Sequence, residues 1–445
     1  MWLYSFCMKH IKTKSATIKG KAQVASNGAW VIWLCSMTAY VFAIANRTSF
    51  GVAGTFASQR FACSASVLSF FTVMQLLIYV SLQIPVGILL DKFGARVLLT
   101  IGSLLMGLGE LCMSLAVSVP TALVGRTLVG GGDALTFISV MHLLPHWFAK
   151  KQVPLISQLS SLIGQFGQVI CAFPFFAVLA CQGWTFAFEC LSLCSFGAAL
   201  LVVILVRDHA KPIRGYQEFA RPSIVGDQEV SLLAIWKRPG TRLGFWIHFT
   251  AQFPGTVFAL LWGVPYLEAS GVDASYASGT LALLTISSVI GGLLFGLFST
   301  KYPQHELALV FFSIAACVFS WIPVLLAHGC PSRALVTLLS VCLGLAAPGS
   351  MVAFDYTRRH NPLSQQGRAT GITNTGGFTA SLVAMLLIGI SLDLMDRFIP
   401  DGSLYSADHF KLAMISQVVV LLIGLVGIAT AAYGLRIEQE RMKSA

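Results

Sequence analysis

Gly87-Ile88-Leu89-Leu90-Asp91-Lys92-Phe93-Gly94-Ala95-Arg96 is a short polar interruption between two apolar runs, at about 65 to 90 and about 97 to 118. Each run reaches the roughly 20 apolar residues that a helix needs to cross a bilayer. The stretch therefore reads as a tight connection between two membrane spans. Gly87 and Gly94 permit a sharp turn and a close helix approach, while Asp91 and Arg96 place opposite charges at one helix junction. Such a junction reads as a gate-like clasp.

Further runs of spanning length lie on either side of it. They fall at about 29 to 55, 120 to 145, 154 to 180 and 183 to 206, then at about 241 to 267, 276 to 299, 306 to 327, 332 to 354, 368 to 392 and 410 to 434. With the two flanking the clasp, twelve spans are expected. The composition agrees: of 445 residues, 56% are apolar and 11% charged, where a soluble chain carries roughly 25% charged residues. The expected fold class is an all-α membrane protein of two six-helix bundles. The bundles occupy 29–206 and 241–434, flanked by a basic segment 1–28 and a tail 435–445. Between them lies a polar linker, 207–240, that holds Pro212, Pro222 and Pro239. Lys and Arg in the connections divide 23 to 4 between alternate sides, which by the positive-inside rule puts both termini and the linker in the cytoplasm. No apolar core of a signal peptide precedes the first span.

The formal net charge of +11 is spread over short loops, so it sets orientation rather than a nucleic-acid surface. Most of the 11 cysteines, Cys171 and Cys317 among them, lie within apolar runs and form no metal-type pair; they read as small hydrophobes. His142 and His146 have i, i+4 spacing but fall beside Trp147 at a helix end, where interface residues are expected rather than metal ligands. No phosphate-binding loop, nucleophile elbow or zinc-protease signature is present. No enzyme activity, no metal and no bound cofactor is expected.

The stretch from Gly87 to Arg96 is similar to the G-x-L-x-D-x-x-G-x-R loop of the major facilitator superfamily, in position as well as residue type. That resemblance implies two six-helix halves with a solute site between them near the midplane, and it makes Gly87, Asp91, Gly94 and Arg96 candidate gating residues. Gly296 stands 209 positions after Gly87, and the same shift carries the first span onto the seventh. The second copy reads Gly296-Leu-Phe-Ser-Thr300-Lys-Tyr-Pro303-Gln-His305, without the acid, the second glycine or the arginine. The first-half loop is expected to dominate gating.

Ionisable residues inside spans cost about 2.5 to 3.5 kcal/mol each on insertion scales, and Arg47, Glu110, Arg126, Asp133 and Glu189 stand there. Arg126 and Asp133 share one face of the fourth span, roughly 10 Å apart along the axis. Arg47 on the first span and Arg126 on the fourth fall at similar depth, so two guanidiniums facing one cavity would clamp an anion. Arg126 also resembles the fourth-helix arginine of the superfamily's R-x-x-x-G-x-G pattern, which implies a general structural or coupling role. Asp133, with no cation on its own helix nearer than Arg126, is expected to be desolvated and suited to carry a proton. Glu110 and Glu189 read as buried acids bonded to neighbouring helices, Glu110 being kept as a second candidate for proton coupling. Gln75, Tyr79 and Gln83 recur every four residues on the second span, and Gln158, Gln165 and Gln168 follow helical spacing on the fifth. These side chains can bond a hydroxylated acid or serve as interhelical glue. Gln252, Asn374 and Thr375 are weaker candidates in the second half.

Asn46-Arg47 together with Arg126 and Asp133 resembles the anion:cation symporters of the superfamily. The resemblance implies an arginine near the substrate on the first helix and a coupling acid on the fourth; Asn46 stands where many such sequences carry another acid. The expected function is proton-coupled uptake of a small organic anion, with Arg47, Arg126, Gln75, Tyr79 and Gln165 as substrate-binding candidates and Asp133 and Glu110 as proton-coupling ones. The alternative is an exporter of drugs or metabolites by proton antiport, against which the missing G-P-x-x-G-G run on the fifth helix counts. The expected setting is a monomer in the plasma or inner membrane, with a small anionic substrate, protons as coupling ion and no nucleic-acid partner.

Overall fold

The computed structural model describes residues 27–62, 65–209, 230–398 and 406–444. The basic segment 1–26 and the linker residues 210–229 lie outside these, and so do the lysines of the N-terminal segment. Among the described residues the chain is helical throughout. The helices are α1 (Asn27–Val52), α2 (Gly54–Phe61), α3 (Ala65–Leu115), α4 (Val119–Trp147), α5 (Val153–Gly164), α6 (Phe166–Ile170), α7 (Phe176–Gln182) and α8 (Trp184–Leu205), then α9 (Leu232–Lys237), α10 (Pro239–Val257), α11 (Gly263–Ala269), α12 (Ala274–Lys301), α13 (Glu306–Leu326), α14 (Arg333–Ala346), α15 (Val352–Arg359), α16 (Gln366–Phe398) and α17 (Ala407–Ser444). Wider π turns join α6 to α7 at Cys171–Phe175 and α10 to α11 at Phe258–Trp262. Pro174 lies within the first, and Pro254 precedes the second by four residues. A proline lacks the N–H that an α-turn needs, and local π geometry absorbs the defect.

Ten helices among the described residues are long and apolar enough to cross a membrane. One of them, Val73–Leu115, runs 43 residues, about twice what a bilayer core requires. It is broken at Gly94, whose φ of 80° and ψ of 168° lie outside helical space. The second and third spans expected from sequence are thus two arms meeting at this glycine. The expected seventh span is α10, its π turn and α11 in series, which is not among the ten continuous helices.

The cores of the two halves are separate. One cluster, from Leu243 to Leu435, belongs to the second half. Two more belong to the first half, and Met351 and Phe354 reach into one of them from the second. Leu193, Phe312, Phe319, Leu326 and Val426 lie exposed on the periphery, as expected where acyl chains are the solvent. The fourth span is the most enclosed of the ten, with 78% of its most apolar window buried. It can therefore carry Arg126 and Asp133 where lipid would exclude them.

The halves close on each other at the end that bears the clasp. Gly87 lies so close to α16 that a Cβ there would sit 2.5 Å from the Gly367 carbonyl oxygen. The Asp91 carboxylate accepts from the backbone N–H groups of Gly367 (2.5 Å) and Arg368 (3.0 Å) and from Arg368 Nε (2.8 Å). Asp91 therefore reaches across to the second half. Arg96, expected as its opposite charge, instead donates to the Val203 carbonyl and offers its backbone N–H to Asp208 at 3.0 Å. The reason is geometric: the break at Gly94 turns Arg96 toward α8 and leaves Asp91 at the N-terminus of α16, where orphan N–H groups welcome an anion. The second seam, between α5 and the chain around α15, uses different chemistry. Gln158 Nε2 donates to the Pro348 carbonyl at 2.9 Å, and Arg358, held by Asp355, donates to Ser157 Oγ at 3.0 Å.

Candidate functional site

Where α1 passes α4, Arg47 and Asp133 meet in a two-pronged pair. Arg47 Nε lies 2.7 Å from one Asp133 carboxylate oxygen and Nη2 lies 2.8 Å from the other. The partners differ in access: the Arg47 side chain is 29% exposed and that of Asp133 1%. Arg47 also stacks over the Tyr79 ring at 5.0 Å, which favours a planar cation. Asp133 is desolvated as its sequence position suggests. Its cation comes from another helix, which a reading along α4 alone does not reveal.

Arg126 is not the second arm of an open clamp in this conformation. Its side chain is buried and donates to the Asn46 carbonyl (3.0 Å), the Arg47 carbonyl (3.0 Å), Ser49 Oγ (3.3 Å) and Gln75 Oε1. Glu110 Oε1 stands 3.8 Å away and accepts from Ser49 Oγ at 3.1 Å. The guanidinium thus binds the helix backbone on which Arg47 rides, and Glu110 supplies the counter-charge. Depth arithmetic placed both arginines at one level but could not tell which of them faces water. Carbonyl oxygens inside α1 are invisible to it.

The polar stripes divide as well. Gln75 is taken up by Arg126. Tyr79 presents its hydroxyl to Asn374 Nδ2 (3.2 Å), and Gln83 Oε1 accepts from the same amide (2.6 Å), so both reach the second half. Gln165 is half-buried and accepts from Gln168 at 2.6 Å. Glu189 is half-buried on α8. His142 and His146 have ring centroids 4.9 Å apart, and His209 stands 4.9 Å beyond His146. Among the described residues no group of three or more His, Cys, Asp or Glu side chains is placed to hold a metal ion. Sequence reasoning missed Arg368, counted only as a topological charge, and His248, buried on α10. Repeat arithmetic offered a signal for the first: the shift of 209 that relates Gly87 to Gly296 also relates Gln158 to Gly367. Those are the residues on which the two seams close.

The model of the Major Facilitator Superfamily matches residues 36–385. The chain belongs to this superfamily. It is a membrane transporter and not an enzyme. Among curated relatives, the Probable sulfoacetate transporter SauU of Cupriavidus necator is 24% identical over 276 residues, 60% of this chain and 64% of the relative. The chain thus spans just under two thirds of that protein. The Oxalate:formate antiporter of Oxalobacter formigenes is 25% identical over 336 residues, 73% of this chain and 74% of the relative. The Probable galactarate/D-glucarate transporter GarP of Escherichia coli (strain K12) is 22% identical over 386 residues, 80% and 86% of the two chains. Solved superfamily folds align over nearly the whole length. A bacterial homologue of the iron transporter ferroportin in an outward-facing state has a TM-score of 0.68 at 13% identity, covering 90% of this chain and 99% of that one. The proton:xylose symporter XylE has a TM-score of 0.65 at 15% identity, covering 91% and 97%. At these identities the likeness carries the fold alone.

Proposed function

We propose that this transporter takes up a small organic anion together with protons by alternating access, with Arg47 as the anion's receptor. The observation that carries the reading is the two-pronged pair in which Asp133 occupies both prongs of a partly exposed arginine. A carboxylate in that position stands in for a substrate carboxylate, since the planar fork of Arg matches either one. Protonation of Asp133 removes its charge and frees Arg47 for the anion. Release of the proton on the far side restores the Asp133 carboxylate, which displaces the anion from Arg47 again. Coupling follows because proton and anion differ in affinity between the two orientations of the halves. Arg126 and Glu110 hold the α1 backbone so that Arg47 stays aimed, and the Tyr79 ring lies against its guanidinium. The three relatives, named for sulfoacetate, oxalate and formate, and galactarate and D-glucarate, support an anionic substrate.

The surplus of Lys and Arg on the linker side supports an orientation with both termini cytoplasmic. In that orientation the end sealed by Asp91 and Arg368 faces the cytoplasm. The test is uptake of labelled carboxylates and sulfonates into proteoliposomes with and without an inward proton gradient. At least one acid should accumulate above equilibrium only with the gradient. Accumulation driven by an opposing gradient, or uptake of neutral solutes in place of acids, would contradict the reading.

A further inference from the structure

His248 lies on α10, in the half that contributes no arginine to the Arg47 site, and its side chain is 2% exposed. Its Nδ1 stands 3.4 Å from the Ser350 carbonyl oxygen. A carbonyl only accepts, so Nδ1 carries the hydrogen, and a neutral imidazole then has a bare lone pair on Nε2. That Nε2 is buried and has no hydrogen-bond partner. A buried acceptor left empty is costly, which marks the atom as one awaiting a donor. The ring is fixed edge-on against Phe354, with centroids 5.0 Å apart, and a Cβ at Gly377 would sit 3.0 Å from its Cδ2. Phe354 in turn meets Phe137 of α4 at 5.5 Å.

A polar path joins this imidazole to the Arg47 site. Arg47 lies over Tyr79, Tyr79 accepts from the Asn374 amide, and Asn374 faces the imidazole. The polar groups that face His248 are the Ser350 carbonyl on the chain before α15 and the Asn374 amide on α16, and neither is charged. The second half therefore offers a neutral acceptor, which does not attract a second ionised group but does fit an O–H.

We propose that His248 Nε2 accepts a hydrogen bond from an O–H at the end of the anion remote from Arg47, so that the cargo is a short acid with a second, O–H-bearing group. This rests on the anion-transport reading above and narrows it. The O–H can come from an alcohol or from a second acid group that travels protonated.

Calorimetric titration of the purified full chain in nanodiscs distinguishes these sources with two matched series: butyrate, 4-hydroxybutyrate and succinate, then hexanoate, 6-hydroxyhexanoate and adipate. At one chain length at least, the hydroxy acid, or the diacid at a pH where one carboxyl is protonated, should bind about tenfold tighter than the simple acid. A gain confined to the half-protonated diacid identifies the second acid as donor; a gain for the hydroxy acid identifies the alcohol. His248→Phe should reduce the preference to within about twofold, with butyrate and hexanoate still binding as evidence that the variant is folded. His248→Gln, which retains an acceptor oxygen, should preserve part of the preference. Equal affinities across both series, or a preference that survives in His248→Phe, would overturn the inference while leaving the anion site intact. Failure of every acid to bind, butyrate and hexanoate included, would refute the anion reading itself and this inference with it.

Discussion

Arg126 and Glu110 lie in the part of the protein where an unpaired charge is least tolerable, between α1, α3 and α4 and shut off from solvent. Removing one member of such a pair strands the other, at about 3 to 5 kcal/mol for a buried charge. Arg126→Gln is therefore expected to lower unfolding stability by about 3 kcal/mol, read as a loss of thermal midpoint in detergent. Adding Glu110→Gln to the same chain should restore most of that loss. If the double variant is no more stable than the single one, the two side chains do not act as a pair. The sequence shows that both are ionisable and embedded, and it shows nothing of their division of labour. Arg47 and Arg126 look equivalent along the chain because both are intramembrane arginines. They differ because one is partly exposed and pairs with an acid, while the other is buried and donates to carbonyls of α1.

Among the elements, the connection from Gly87 to Arg96 shows most plainly what sequence can and cannot convey. Its two glycines are legible as a turn, and Gly94 adopts a backbone conformation that other residues enter only at a cost of about 1 to 3 kcal/mol. The partner of Asp91 was not legible, because nothing local says that the N-terminus of α16 arrives 276 residues later. Several helix starts, by contrast, follow local residue preferences. Proline stands at the first turn of α4, α5 and α10, and the side chains of Asp273 and Ser332 accept from backbone N–H groups at the starts of α12 and α14. Residues of these types favour those positions. At the seam, a Cβ on Gly367 would meet both Asp91 Oδ1 and the Gly87 carbonyl oxygen at 2.5 Å. Gly367→Val is thus expected to pry this end apart. In an otherwise cysteine-free chain, spin labels at positions 92 and 301 should move to longer separations, and an unchanged distance distribution would count against a closed seam there.

At the scale of the molecule, the fold was readable because hydropathy writes spans directly into the sequence, and the 209-residue repeat announces two related halves. Two of the twelve expected spans are the arms that meet at the break at Gly94, and a π turn interrupts the seventh. The asymmetry between the seams was only half visible. Thr300 stands where the repeat would put the counterpart of Asp91, and that seam is held instead by Gln158 and by the Asp355–Arg358 pair on Ser157. Such long-range substitutions carry no local pattern. Both seams join the two halves, and in the function proposed above rocking about them exposes the Arg47–Asp133 pair to either side in turn. The most direct measurement is on Asp133→Asn in proteoliposomes, comparing exchange of labelled acid at equal concentrations with accumulation driven by a proton gradient. Exchange should persist, because Arg47 is free to bind the anion, while accumulation should vanish, because no proton is carried; accumulation at the unaltered level would contradict the account.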